Sequence, residues 1–406
     1  MAASTETRLI NTREGLTVLA AELEGADVLA LDTEFIRERS YAPRLELVQV
    51  ASRTGVIAAI DYGTIGRIPN DPFVEILRDP TILKVFHAAE QDLEILQMLT
   101  GEPLTPMFDT QLAAGLVGFS AKPGYGALVE GVLKIRLPKG ESMTDWSIRP
   151  LTQAQLEYAL DDVRHLLPVF DRLRSMLHEN GRMTWAEQEC ERLQHAVASQ
   201  FAARANPETL FMRVRGRGGL DAQGLHVLRA LAMWREEEAR RRDRPRGSIF
   251  KDEILVELAR RAPRKAQQIR NLRGIQPRDL DRYADTLIQV VSDALSRPKS
   301  EYPSAEPPSG PPDEATLALA DLLQAVTHTI AAESGIAATL LATNSDLQRL
   351  AETYRRGEHM TVNFLEGWRA ELLGDRLLEV LEGRAALGWD PKGQRLRLVP
   401  LNEAGA

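Results

Sequence analysis

A single cysteine, Cys190, stands in 406 residues. It excludes an intrachain disulfide framework and a cysteine-based zinc site. Its neighbours are charged helix formers, so an inert helix position is expected. Aromatic residues make up 5% of the chain, too few to make base stacking the obvious binding mode. No run of 18 apolar residues occurs, so no membrane span and no membrane partner are expected. The opening stretch MAASTETRLINTREG lacks the apolar segment of a secretory signal. The chain reads as a cytoplasmic monomer.

What is present is an uneven charge. The chain carries −8 overall. Residues 204–297 nevertheless hold 21 Lys and Arg against 13 Asp and Glu, a net of +8 between two acidic flanks. Such a segment is a candidate phosphate-contacting surface, although a solvated helix face has the same composition. The length suggests two to four domains.

Residues 1–180 alternate strand-like and helix-like stretches. VLALDTEF (28–35), LELVQVAS (45–52) and GVIAAIDY (55–62) read as strands. FVEILRD (73–79) reads as a helix, ILKVFHAA (82–89) as a buried strand and EQDLEILQML (90–99) as a helix; helical patterns dominate from FDTQLAAGLVG (108–118) onward. This order predicts a mixed sheet flanked by helices. From about residue 183 no strand is expected before LRLV (396–399). Two helical stretches, starting at SIFKDEILVELARRAP (248–263) and IAATLLATNSDLQRLAE (336–352), read as two copies of one small domain, the second diverged. The Pro-, Ser- and Glu-rich segment 297–314 between them reads as a flexible linker.

Asp32 and Glu34, two apart in a strand, share one face of the sheet. They follow the apolar V-L-A-L and have no evident basic partner, a conflict that a divalent cation resolves. The plainer reading is a capping Asp32 and a solvated Glu34. Asp92 falls in the first turn of a helix, where the macrodipole favours a carboxylate anyway; Glu90 and Glu94 are rivals. Tyr158 and Asp162, at i and i+4, share a helix face. Asp161 at i+3 competes with Asp162, and spacing does not separate them.

DTEF, then HAAEQDLE, then YALDD, in this order and separation, resemble the DEDD exonucleases, in particular the tyrosine subgroup typified by ribonuclease D. ALDTEFIRERSYAPRLELVQVAS, FDTQLAA, TDWSIRPLT and EYALDDVRHLLPV extend the resemblance over about residues 8–180. Glu157, not His, stands five before Asp162 and separates the chain from the histidine subgroup. The resemblance implies an α/β ribonuclease H-like (DnaQ-like) exonuclease domain at 1–182 and a helical connector at 183–212. It also implies all-α HRDC-like domains at 213–296 and, diverged, at 315–406. Asp32, Glu34, Asp92 and Asp162 are then expected to bind two divalent metal ions, Mg²⁺ or Mn²⁺, with Tyr158 orienting the attacking water. The implied reaction releases nucleoside 5′-monophosphates from the 3′ end of RNA, with tRNA precursors as the substrate class. Two cations suit phosphodiester hydrolysis because they neutralise charge and activate water.

Several residues near these motifs receive lesser roles. Gln49 and His87 are candidates for contact with the terminal nucleotide, and Asp109 for a helix cap. Asp145, Trp146 and Arg149 are expected to fix the loop before the Tyr158 helix, with Arg149 a candidate phosphate contact. In the basic segment Arg240, Arg241, Arg242, Arg244, Arg246, Arg260, Arg261, Arg264 and Lys265 are the candidate nucleic-acid contacts. The competing reading pairs these arginines with Glu236, Glu237 and Glu238. The acidic second helical domain is expected to pack on the rest of the chain. A DNA-directed exonuclease and a non-catalytic RNA-binding scaffold are the alternatives. An HRDC-containing helicase fragment is excluded by the lack of GxxxxGK[ST].

Overall fold

A computed structural model describes residues 8–138, 144–270, 272, 274–304, 312–358 and 363–401. Part of the expected linker, 305–311, lies outside the described residues.

Six strands form one mixed sheet in the order β1-β4-β3-β2-β5-β6. They are β1 (Arg8–Ile10), β2 (Val28–Ile36), β3 (Arg44–Ser52), β4 (Ile57–Asp61), β5 (Leu83–Phe86) and β6 (Met107–Asp109). β2, β3 and β4 run antiparallel, while β1 joins β4, β5 joins β2 and β6 joins β5 in parallel. Val28–Leu31 are buried, as a strand covered on both faces requires. β1 and β6 were not among the expected strands: three residues are too few to show a period. β2 pairs Asp32 with Gln49 and Glu34 with Leu47 across β3, and its register slips between Glu34 and Phe35. Regular pairing therefore breaks immediately after the two acids.

Helix Gln153–Arg164 lies against the face of β2 and β3 that carries these residues; its Ala159 packs with Leu47 and Trp146. Its start is set by a capping box between Thr152 and Gln155, which satisfies orphan amide donors at its N-terminus. Helix Glu90–Thr100 follows β5 and ends at Gly101, which takes the left-handed conformation.

Beyond the sheet, the connector helix Met183–Ala205 leads to the helices Ala222–Arg241, Asp252–Arg261 and Pro277–Ser296. These enclose a separate core that includes Leu228, Leu231, Leu255, Leu287 and Val291. The last helical region behaves differently. Leu323, Val326, Leu350, Phe364 and Leu377 join the core of the sheet domain. Ala337 donates its backbone N–H to Gly115 at 2.9 Å. Trp368 stacks on Trp185 at 4.8 Å, and buried Arg369 pairs with buried Glu189. Gly115 eases this approach, since a Cβ there would lie 2.5 Å from Leu340 Cδ1 and the leucine side chain would have to shift.

Helix Glu314–Ser334 is long and apolar enough to cross a membrane, a feature the sequence reading did not register. Here its Leu323, Val326, Ile330 and Ala331 are buried in the shared core. The chain closes on a hairpin of β7 (Ala385–Asp390) and β8 (Arg395–Pro400). The expectation of no strand before residue 396 is thus corrected: β7 reads AALGWD, with small residues that give no strand pattern alone, and forms by pairing with β8.

Candidate active site

Period-two geometry carries Asp32 and Glu34 to the helix-covered face of β2, and the i, i+4 spacing carries Tyr158 and Asp162 to meet them. Carboxylate oxygens of Asp32, Glu34 and Asp162 lie within 4.8 Å of one another. Asp161 pairs with Arg164 instead, so of the two neighbours it is Asp162 that lies beside Asp32 and Glu34. The Tyr158 ring stacks on Trp146, with centroids 6.3 Å apart. Tyr125, which the sequence reading did not single out, donates its hydroxyl to the Asp161 carbonyl at 3.3 Å. Nothing in GYGALVEG marks it, because its neighbours come from a helix 36 residues away.

Asp92 stands slightly apart from the three closest carboxylates. It is buried in the first turn of Glu90–Thr100 and accepts a hydrogen bond from the Thr33 hydroxyl at 2.5 Å. Thr33 sits between the two acids of β2, so one strand positions three of the four carboxylates. Of the rivals, Glu90 is exposed, and Glu94 pairs with Arg37 and Arg204. The turn leading to Asp92 is held by Asp109, which accepts from the N–H groups of Ala88 (3.0 Å) and Ala89 (2.9 Å). It also caps its own helix through Gln111 N–H at 2.7 Å. Ala88 adopts a left-handed φ of 61°, a strained conformation for a residue with a Cβ.

Charge is concentrated here, and Asp32, Glu34, Asp92 and Asp162 form no ion pair among the described residues. Burial first, and then Asp92, Asp162 and Glu34, push the Asp32 carboxyl well above its ordinary range. Burial, Asp162 and Asp92 raise Glu34 to about 8. Burial, with Asp161 and Asp92, raises Asp162 to about 7. Burial also raises Asp92 to about 7, against the opposing Thr33 hydrogen bond. The same carboxylates, after burial, lift Tyr158 to about 12. Gln49, opposite Asp32, is fully buried, and neither of its side-chain polar atoms has a partner among the described residues. Four acids that cannot all ionise unaided, offering hard oxygen donors, fit divalent cations.

His87, Asp145 and Arg149 make contacts within the protein. His87 spends both ring nitrogens, on Thr110 (3.0 Å) and the Pro123 carbonyl (2.9 Å). Asp145 accepts from Ser147, and Arg149 is held by Asp61 at 2.5 Å and Glu46 at 3.5 Å. Buried Cys190 accepts the Asp109 N–H at 3.3 Å, a small packing role.

The basic segment is partly paired, as its alternative reading held. Arg241 and Arg242 bind Glu238, Arg246 binds Glu236, and Arg260 and Arg261 bind Glu257. Arg240 lies over the Tyr41 ring at 5.5 Å. Arg244, Arg264 and Lys265 form no ion pair among the described residues.

A mixed sheet that aims clustered acids and a tyrosine at one point defines a divalent-metal-dependent nuclease. Residues 7–178 match the 3′-5′ exonuclease family and residues 224–291 the HRDC domain. Ribonuclease D of Acidiphilium cryptum is 36% identical over 401 residues, covering 97% of both chains. That of Zymomonas mobilis is 38% identical over 380 residues, covering 93% of this chain and 95% of the relative. The crystal structure of Escherichia coli RNase D, described as an exoribonuclease involved in structured RNA processing, superposes with a TM-score of 0.80. It shares 29% identity and covers 93% of this chain and 98% of its own. The chain belongs to the ribonuclease D family of 3′-5′ exoribonucleases.

Proposed function

We propose that Asp32, Glu34, Asp92 and Asp162 hold two divalent cations, Mg²⁺ or Mn²⁺, and that the enzyme trims RNA with a free 3′ end to nucleoside 5′-monophosphates. The observation that supports this most is the convergence of Asp32, Glu34 and Asp162 oxygens within 4.8 Å, without basic partners in that set. The bound ions would neutralise phosphate charge and lower the pKa of the attacking water. The chain's own groups do the rest. Thr33 fixes Asp92, and the two-residue spacing in β2 fixes Asp32 against Glu34. Tyr158, raised to about 12, keeps its proton at neutral pH and therefore acts as a hydrogen-bond donor that orients water or a phosphate oxygen. Trp146 holds the ring in place.

The HRDC module, residues 213–296 in this reading, supplies phosphate contacts, with Arg244, Arg264 and Lys265 the freest of its cations. Residues 315–406 form a second, diverged module that braces the nuclease domain at 1–182 through the shared core. The substrate class is structured RNA with an unpaired 3′ end, tRNA precursors in particular, and the enzyme acts as a cytoplasmic monomer.

The test is a 5′-labelled RNA beside a matched DNA, with Mg²⁺ or Mn²⁺. Stepwise shortening from the 3′ end and 5′-monophosphate products are expected from the wild type, and none from Asp32→Asn. Equal digestion of the DNA would move the assignment to a DNA-directed exonuclease, and 3′-monophosphate products would refute the chemistry.

A further inference from the structure

Beside the carboxylates, two arginines share one acid. Arg37 follows Glu34 by three residues, just past the end of β2, and Arg204 lies in the last turn of the connector helix. Arg37 Nη2 meets Glu94 Oε2 at 3.0 Å, and Arg204 pairs with the other Glu94 oxygen. Arg37 Nε is buried with no hydrogen-bond partner among the described residues. Positive charge converges here: after burial, Arg213, Arg37 and Arg246 each make Arg204 a weaker base than usual. These side chains border a cavity of about 210 Å³, which is also lined by Gln91, Val197 and Phe201.

Two half-buried guanidiniums share one carboxylate, Glu94, while Glu90, the other acid of the lining, is exposed and pairs with neither among the described residues, and Glu236 acts on Arg204 from farther off. Arginine's planar fork suits phosphate, and Phe201 offers an apolar wall to a sugar or base. Glu90, Gln91 and Glu94 line the cavity, whereas none of the four site carboxylates does. Gln91 and Glu94 flank Asp92 on one helix and Arg37 follows Glu34 just past its strand, so the cavity adjoins the elements that carry Asp32, Glu34 and Asp92. In an enzyme that cuts from the 3′ end, polymer reaching past the scissile bond is the strand on its 5′ side.

We propose that Arg37 and Arg204 bind a backbone phosphate of the RNA strand upstream of the bond being cut, with Phe201 against that nucleotide's sugar or base. Glu94 holds the two arginines in place between substrates. This subsite rests on the exoribonuclease reading above.

Steady-state kinetics of the full chain on a ten-nucleotide RNA and on a dinucleotide, whose one phosphodiester is the scissile one, test it. For Arg204→Ala the KM of the ten-nucleotide RNA should rise about tenfold with kcat within about twofold, the loss of one charge-assisted contact. The slope of log(1/KM) against log salt should become shallower by about 0.7. Arg204→Lys should recover much of the loss. The dinucleotide should be cut equally by wild type and variant. An unchanged KM for the longer RNA overturns the subsite, and so does equal impairment of both substrates, which would mark a structural role. If the wild type itself fails to shorten RNA from its 3′ end, the exoribonuclease reading fails first, and that result is separate.

Discussion

Replacing Glu34 with glutamine should silence the enzyme and, without metal, make it more stable at alkaline pH. The Glu34 carboxyl is displaced from an ordinary 4.5 to about 8, by burial and by Asp162 and Asp92. Below the unfolded value of 4.5 the carboxyl is protonated in both folded and unfolded chains and costs nothing. Between 4.5 and about 8 the unfolded chain ionises while the folded one keeps its proton, so stability falls as pH rises. At about 1.4 kcal/mol for each tenfold change in proton affinity, the full displacement is worth roughly 5 kcal/mol. A neutral glutamine of the same shape avoids that cost. Thermal unfolding in EDTA should give equal midpoints for wild type and Glu34→Gln at pH 4. At pH 8 the variant should melt about 6 °C higher. Mg²⁺ should raise the wild-type midpoint at pH 8 and the variant's much less, because binding to the folded state alone stabilises it. Equal midpoints at pH 8 in EDTA, or a variant less stable at both pH values, would refute the account of the carboxylate cluster.

Tyr158→Phe should lower kcat about 10²-fold with little change in KM or in stabilisation by Mg²⁺, since it removes a donor and no metal ligand; a change confined to KM would place the hydroxyl on bound substrate instead. Thr33→Val should weaken metal binding about 10- to 100-fold, seen as a rightward shift of the Mn²⁺ activity curve, because Asp92 loses the hydroxyl that orients it. Arg369→Ala should destabilise the chain by about 3 kcal/mol in urea titrations, because buried Glu189 loses its buried guanidinium partner and keeps only the Trp368 N–H and the more exposed Arg192. Its kinetic constants at low temperature should stay near those of the wild type.

The parts of the site visible in sequence are those set by local periodicity. Asp32 and Glu34 lie two apart in a strand, and Tyr158 and Asp162 four apart in a helix, so each pair shares a face wherever the element sits. Asp92 could not be separated from Glu90 and Glu94 by the residues alone, because its selection comes from Thr33, 59 residues earlier. Asp161 was open for a similar reason: Arg164, one turn on, takes it away from the site. Tyr125 carried no signal, since only tertiary packing brings it near. The strands β1 and β6 are too short to show alternation, and β7 depends on its partner. The pairing of Arg241 and Arg242 with Glu238 follows helical spacing, whereas that of Arg246 with Glu236 depends on the turn that ends the helix. Net charge located the basic segment but not which of its arginines stay available.

The central claim is that the Asp32–Glu34–Asp92–Asp162 cluster is the catalytic metal centre. The most direct measurement compares Asp162→Asn with its neighbour Asp161→Asn, following Mn²⁺ bound per chain and RNA hydrolysis in the same samples. The account predicts two ions and full hydrolysis for the wild type. Asp161→Asn should bind ions as the wild type does and keep most activity. Asp162→Asn should lose at least one ion and about 10³-fold or more in rate. Equal loss in the two variants, or an Asp162→Asn protein that still binds two ions and cuts RNA, would contradict it.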